Sequence, residues 1–178
     1  SSAASDVYKR QDYYIAAENV LETEYVETEL SVSEIHYEPM GIILGIMPWN
    51  FPFWQALRFA VPTILAGNVV LLKHASICKE SSKAIEELFR KSGFPEGVFQ
   101  HLEVSYQEIE DLIANPLVKG VSLTGSDVTG RKIASLAGQN IKKSLLELGG
   151  NDAFIVLDDT DLDETAKQGA AARLRNCG

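Results

Sequence analysis

From Gly41 onward the chain alternates short apolar runs with helix-length segments, and that alternation narrows the fold more than any other feature. Runs at 42–47, 69–72, 98–104, 120–123 and 144–148 read as strands. Segments 53–66, 80–91, 106–114 and 126–138 read as helices between them. A further run, 153–157, is expected to be a strand leading into a helix over 161–174. Asp158, Asp159 and Asp161 near the start of that helix complement its dipole. Runs that are continuously apolar, not alternating, suit strands covered on both faces. Repeated strand–helix units then predict an α/β fold: a Rossmann-like open, mostly parallel sheet with helices on both faces.

Before this regular region, residues 23–38 place β-branched and aromatic residues among glutamates and read as one or two exposed strands, a β arm. Residues 12–22 read as the end of a helix. Residues 1–11, opening Ser1-Ser2-Ala3-Ala4-Ser5, have the composition of a leader or a foreign join.

Charge excludes some partners. The net charge is −9 and the pI is about 4.8, which argues against nucleic acid or an anionic membrane. Glu18, Glu22, Glu24, Glu27, Glu29, Glu34 and Glu38 follow one another with no Lys or Arg between them. No apolar run reaches the roughly 18 residues of a membrane span. Two cysteines, Cys78 and Cys177, make no disulfide framework and fit a reducing cytoplasm. No cluster suggests a metal.

Chemistry in an open α/β sheet gathers at the carboxyl ends of strands. Pro48-Trp49-Asn50-Phe51-Pro52 lies at one such end, and Asn50 carries its only polar side chain. Its amide can serve as a fixed donor to a developing oxyanion, or as a cap in a tight turn. Lys73-His74-Ala75-Ser76 follows the next strand, and its lysine reads as a ribose or phosphate donor or as a solvated terminus. Thr124-Gly125-Ser126 opens another helix, where Gly125 permits close approach and Ser126 can cap. The spacing Gly125 to Gly130 resembles a P-loop, but Arg131 stands where the lysine must be, and no G-x-G-x-x-G is present. Glu147 sits among Leu145, Leu146 and Leu148. Burial there would raise its pKa toward that of a general base, the other reading being a salt-bridged or outward-facing carboxylate.

Taken in order, Pro48-Trp49-Asn50-Phe51-Pro52, Ala66-Gly67-Asn68-Val69-Val70-Leu71-Leu72-Lys73, Thr124-Gly125-Ser126 and Glu147-Leu148-Gly149-Gly150 resemble the motif set of NAD(P)-dependent aldehyde dehydrogenases. The resemblance spans 13–178. It implies that Asn50 donates to the oxyanion of a thiohemiacetal and that Glu147 activates the water that hydrolyses a thioester. It implies further that Lys73 holds the adenosine ribose, that Trp49, His74, Ala75 and Leu148 line the cofactor slot, and that Gly125 and Ser126 meet the pyrophosphate. Residues 39–148 would form the cofactor domain, residues 149–178 the start of a catalytic domain, and the arm at 23–38 would pair subunits in a dimer or tetramer.

Two positions refine this. Ser76 stands where NAD-preferring relatives carry a glutamate, so NADP is expected to be accepted, alongside NAD or in preference to it. Arg58, eight residues after Asn50, resembles the arginine that binds the distal carboxylate in relatives acting on succinate semialdehyde, the other reading being a solvated arginine on an outer face. The family nucleophile lies in N-x-G-Q-x-C. The chain closes on Asn176-Cys177-Gly178, so that cysteine would fall three residues further on, and Cys177 takes the first x. Cys78, near a helix start, is either a thiol of lowered pKa or a small buried apolar residue. The sequence therefore reads as a fragment, inactive alone, of an enzyme that oxidises an aldehyde to its acid. The alternative is a noncatalytic dinucleotide-binding or assembly module on the same scaffold. Acyl-phosphate and acyl-CoA reductases of related fold need no deacylating water, so Glu147 favours the dehydrogenase.

Overall fold

The computed structural model describes residues 20–151 and 153–174. Most of the helix end expected over 12–22, the leader at 1–11, and Asn176-Cys177-Gly178 lie outside the described residues. The chain divides into two compact units, with the boundary between Leu148 and Gly149.

In the first unit, β1 (Glu24–Tyr25) and β2 (Glu34–Ile35) pair antiparallel within the expected arm. The main sheet has five strands: β3 (Ile42–Met47), β4 (Val69–His74), β5 (Phe99–His101), β6 (Val118–Thr124) and β7 (Lys143–Glu147). Their order is β5-β4-β3-β6-β7 and every pairing is parallel. Connecting them are α1 (Pro52–Leu65), α2 (Lys79–Lys91), α3 (Tyr106–Ala114) and α4 (Asp127–Gln139). The expected α/β class is therefore the observed one.

Alternation along each strand sorts the core into two layers. Leu44 and Ile46 of β3 and Val121 and Leu123 of β6 pack with Ile109, Ile113, Ile133 and Ala137 of α3 and α4. Met47, Val70, Leu72 and Phe99 pack on the other face with Ala56 and Ala60 of α1 and Ile85 and Phe89 of α2. Fully burying a leucine such as Leu44 or Leu72 contributes about 1.5–3 kcal/mol. Gly45 lets α1 seat on the central strand: a Cβ there would lie 2.3 Å from the Phe59 ring.

The segment Ala66-Gly67-Asn68 has a structural task. Gly67 turns out of α1 at φ +81°. The buried Asn68 side chain then accepts from the amides of Met40 (2.7 Å) and Gly41 (3.0 Å) and donates to the Thr63 carbonyl (3.2 Å). One side chain thereby ties the entry of β3 to the entry of β4. A full capping box, Ser105 with Glu108, starts α3.

In the second unit, α5 (Leu162–Leu174) begins where the Asp161 carboxylate accepts from the amides of Asp163 and Glu164. The strand expected over 153–157 is absent: these residues are exposed and irregular, and no described strand pairs with them. An apolar run becomes a strand only when its backbone finds a partner.

Candidate functional site

From β3 the chain runs through α1 to β4 and on to β5 on one side, then returns through α3 to β6 on the opposite side of β3. Such a switch point opens a crevice at the carboxyl edge of the sheet. Met47, His74, Thr124 and Glu147 end the four strands around it, so every polar cluster singled out in the sequence falls on this one edge.

The turn after β3 is held from below by the exit of β4. Ala75 donates its amide to the Met47 carbonyl (2.9 Å). The Cys78 thiol donates to the Trp49 carbonyl (3.7 Å). His74 Nδ1 accepts from the Ala75 amide (2.9 Å), which leaves the proton on Nε2, and Nε2 donates to the Pro52 carbonyl (2.9 Å). Both ring nitrogens of this buried histidine are thus spent inside the protein, and His74 has none left for a ligand. Burial pushes the Cys78 thiol up, in line with the small buried apolar residue and not with the thiol of lowered pKa. It is a buried thiol under the turn. Asn50 itself is exposed. It is not the cap of α1: that position is Phe51, without a side-chain cap, and Pro52 starts the helix. Trp49 is 69% exposed beside it.

Two cavities flank the edge. One, about 340 Å³, lies on the α1 face and is lined by Gln55, Arg58 and Phe59 of α1 with Ser122, Thr124, Leu145 and Glu147 of β6 and β7. Arg58 Nη2 donates to Glu147 Oε1 at 3.0 Å across this space, with the two side chains 45% and 48% exposed. Burial of Glu147 is therefore corrected. Leu146 faces the α3 and α4 layer, so Leu145 and Glu147 face the other side, where Leu145 is 62% exposed. The Gln55 Oε1 atom is buried at this cavity without a hydrogen-bond partner.

The second cavity, about 210 Å³, lies beyond β4 and β5 and takes in Lys73, His74, Ala75 and Ser76 with Lys79, His101 and Glu103. Lys73 shares its strand face with Leu71, which packs toward α3 and α4. Lys73 and Glu147 accordingly stand on opposite faces of the sheet at the same edge, in separate cavities, and Asn50 lines neither.

At the start of α4, Ser126 Oγ accepts from the Thr129 amide (3.3 Å), so its hydroxyl is the helix cap. The Gly125 amide donates to the Glu147 carbonyl (3.0 Å) and is unavailable to a phosphate. Amides of the first helical turn, those of Asp127 and Val128, keep no intrahelical acceptor. Gly125 still matters for approach, since the nearest side-chain atom to a Cβ there is 3.8 Å away. Leu148 packs on Gly130 so closely that a Cβ would meet it at 2.5 Å.

Lys79, His101, Glu103 and Gln55 were not singled out in the sequence. The rule that found Lys73 and Asn50, polar residues just past a strand's carboxyl end, misses His101 and Glu103 because the apolar run read over 98–104 encloses both, whereas β5 ends at His101.

The family model described as aldehyde dehydrogenase family matches residues 3–178. A protein named probable succinate-semialdehyde dehydrogenase (NADP+) from Synechocystis sp. is 49% identical over 93% of the chain and 37% of its own length. The succinate-semialdehyde dehydrogenase (NADP+) of Deinococcus radiodurans is 47% identical over 89% of the chain and 33% of its own length. The crystal structure of succinic semialdehyde dehydrogenase from Streptococcus pyogenes in complex with NADP+ superposes with a TM-score of 0.85 at 43% identity, covering 93% of the chain and 36% of that structure. The chain thus spans about a third of the length of these relatives.

Proposed function

The chain belongs to the aldehyde dehydrogenase family, and from that premise we propose that it forms the cofactor-binding part of an NADP-dependent succinate-semialdehyde dehydrogenase. The observation that carries this is the placement of Lys73 and Glu147 on opposite faces of one sheet edge, with the Asn50 turn between them. A dinucleotide is long enough to cross such an edge, its adenosine half on one face and its nicotinamide half on the other. Lys73 and Ser76 supply a cation and a hydroxyl in the smaller cavity, a donor set that suits a phosphorylated ribose. With the dinucleotide held in this way, its nicotinamide ring, on the Glu147 face, would supply the two-electron acceptor.

The chain's own residues divide the remaining work. Ala75 walls the cofactor slot beside Lys73, and Trp49 and Leu148 flank the turn and the α4 start. First-turn amides of α4 face the pyrophosphate, with Gly125 allowing it to approach. Asn50 donates its amide to the oxyanion that forms when a thiol adds to the aldehyde. Glu147 takes a proton from the water that hydrolyses the thioester. Arg58 holds the distal carboxylate of the substrate. Because Arg58 already pairs with Glu147, an incoming carboxylate exchanges with Glu147 and frees it for its proton transfer.

The exposed Tyr25, Val26, Leu30, Val32 and Ile35 of the arm suit burial against a second subunit, and the working protein is a cytoplasmic homo-oligomer in this reading. Among the described residues no helix is long and apolar enough to cross a membrane.

Steady-state assay of the full-length protein with succinate semialdehyde and either dinucleotide tests the proposal. NADPH formation, a roughly 10²–10³-fold loss of kcat in Asn50→Ala, and a raised KM for succinate semialdehyde but not propanal in Arg58→Leu are expected. No reduction of either dinucleotide by the full-length protein would refute it.

A further inference from the structure

Among the described residues Glu103 is the only carboxylate lining the smaller cavity, and lysines surround it. One of its oxygens is in close contact with the Lys79 ammonium. The other lies 3.4 Å from His101 Nε2 and 3.5 Å from Lys83 Nζ. His101 is fixed in turn by a 2.7 Å hydrogen bond between its Nδ1 and the hydroxyl of Ser82, which is fully buried. The carboxylate is therefore anchored, through His101, to the interior of α2. It does not wave freely in solvent.

We propose that Glu103 is a specificity-determining residue that restrains recognition of a 2′-phosphorylated ribose by occupying Lys79. The inference rests on the reading that the adenosine half of NADP enters this cavity. Lys73 and Lys79 are the two ammonium groups lining it. A phosphate monoester brings a charge of about −1.5 to −2 and needs both. With Lys79 bound to Glu103, the phosphate meets one unengaged ammonium and one carboxylate that repels it. Binding then requires Lys79 to change partners, and the cost falls on the phosphorylated ligand alone. An adenosine without the 2′-phosphate makes no demand on Lys79 and does not sense the exchange. Glu103 thus lowers the ratio of phosphorylated to unphosphorylated dinucleotide that Lys73 and Ser76 would otherwise set.

Calorimetric titration of the chain with 2′,5′-ADP and with 5′-AMP separates the possibilities, because these probes carry only the adenosine half. Glu103→Gln is close to isosteric and sits on the surface, and circular dichroism confirms its fold. The expected result is a 5- to 20-fold tighter binding of 2′,5′-ADP at low salt, about the effect of removing one nearby charge, with 5′-AMP changed less than twofold. In Glu103→Gln combined with Lys79→Met the gain should vanish, and Lys79→Met alone should weaken 2′,5′-ADP selectively. If both probes bind but Glu103→Gln shifts them equally, or the gain survives loss of Lys79, the role of Glu103 is overturned while the cofactor reading stands. If neither probe binds the chain or any variant at millimolar concentration, the cofactor reading itself fails and the inference with it.

Discussion

Arg58 and Glu147, 89 positions apart in the chain, meet at 3.0 Å because β7 lies beside β6 and leaves its α1 face open to the arginine. Each side chain remains nearly half exposed. A pair in that setting contributes about 0.2–1 kcal/mol and is screened by salt. A double-mutant cycle on thermal unfolding with Arg58→Leu and Glu147→Gln should give a coupling below about 1 kcal/mol that shrinks further in 0.5 M salt. A coupling above about 3 kcal/mol would show a locked pair, and Glu147 could not then be released by substrate.

His74 joins the end of β4 to the start of α1 through the Pro52 carbonyl. Replacing it with phenylalanine keeps the ring volume but takes the Nε2 donor from the Pro52 carbonyl and leaves the Ala75 amide with Met47 alone. Losing such a hydrogen bond costs about 0.5–1.5 kcal/mol. The expected outcome is a lower unfolding midpoint and faster amide exchange at Trp49, Asn50 and Phe51. Unchanged exchange in that turn would mean that Cys78 and the Ala75 amide hold it unaided.

Lys79, above all, holds the Glu103 carboxyl at about 2, well below the ordinary carboxylate range. A carboxyl whose folded pKa is depressed stabilises the fold at any pH above its unfolded value, near 4.5, and that contribution is lost as pH falls toward 2. The unfolded chain binds the extra proton in that window. Glu87 is lowered to about 2 as well, chiefly by Arg90, so acid unfolding should be partly retained in Glu103→Gln. The variant should be less stable than the parent at pH 6 and converge with it by about pH 2. Parallel stability curves across that range would contradict the assignment.

Ile141 is β-branched, 96% exposed, and sits at φ +54° between α4 and β7. A left-handed conformation at such a residue costs on the order of 1–3 kcal/mol, and no packing offsets it. Ile141→Gly is expected to stabilise the chain by roughly 0.5–1 kcal/mol, after the greater entropy of glycine in the unfolded state is subtracted. A lower melting temperature would count against strain at this turn.

The alternation of apolar and helical segments made the sheet and its helices legible, down to the bounds of α3. It also placed Asn50, Lys73, Gly125 and Glu147 at strand ends, where they are found. The surroundings of Glu147 were less legible. Ser144-Leu145-Leu146-Glu147-Leu148 looks like a strand covered on both faces, yet β7 is the last strand of the sheet and only its Leu146 side is packed. Strand order is a tertiary property that periodicity does not carry. The run 153–157 failed for a related reason, since apolar composition does not specify a pairing partner. His74 illustrates a third limit: it lines the smaller cavity, yet its sequence position does not tell that its ring nitrogens are engaged by Ala75 and Pro52, which rests on how α1 returns over β4.

The most direct test of the central claim is an amide chemical-shift titration of the isotopically labelled chain with NADP+. The account predicts saturable shifts at Lys73, Ala75, Ser76, Asp127 and Val128, on the carboxyl edge of the sheet, with Ile42, Val69 and Val118 at the opposite edge unmoved. Shifts confined to the amino edge, or none up to several millimolar dinucleotide, would contradict it.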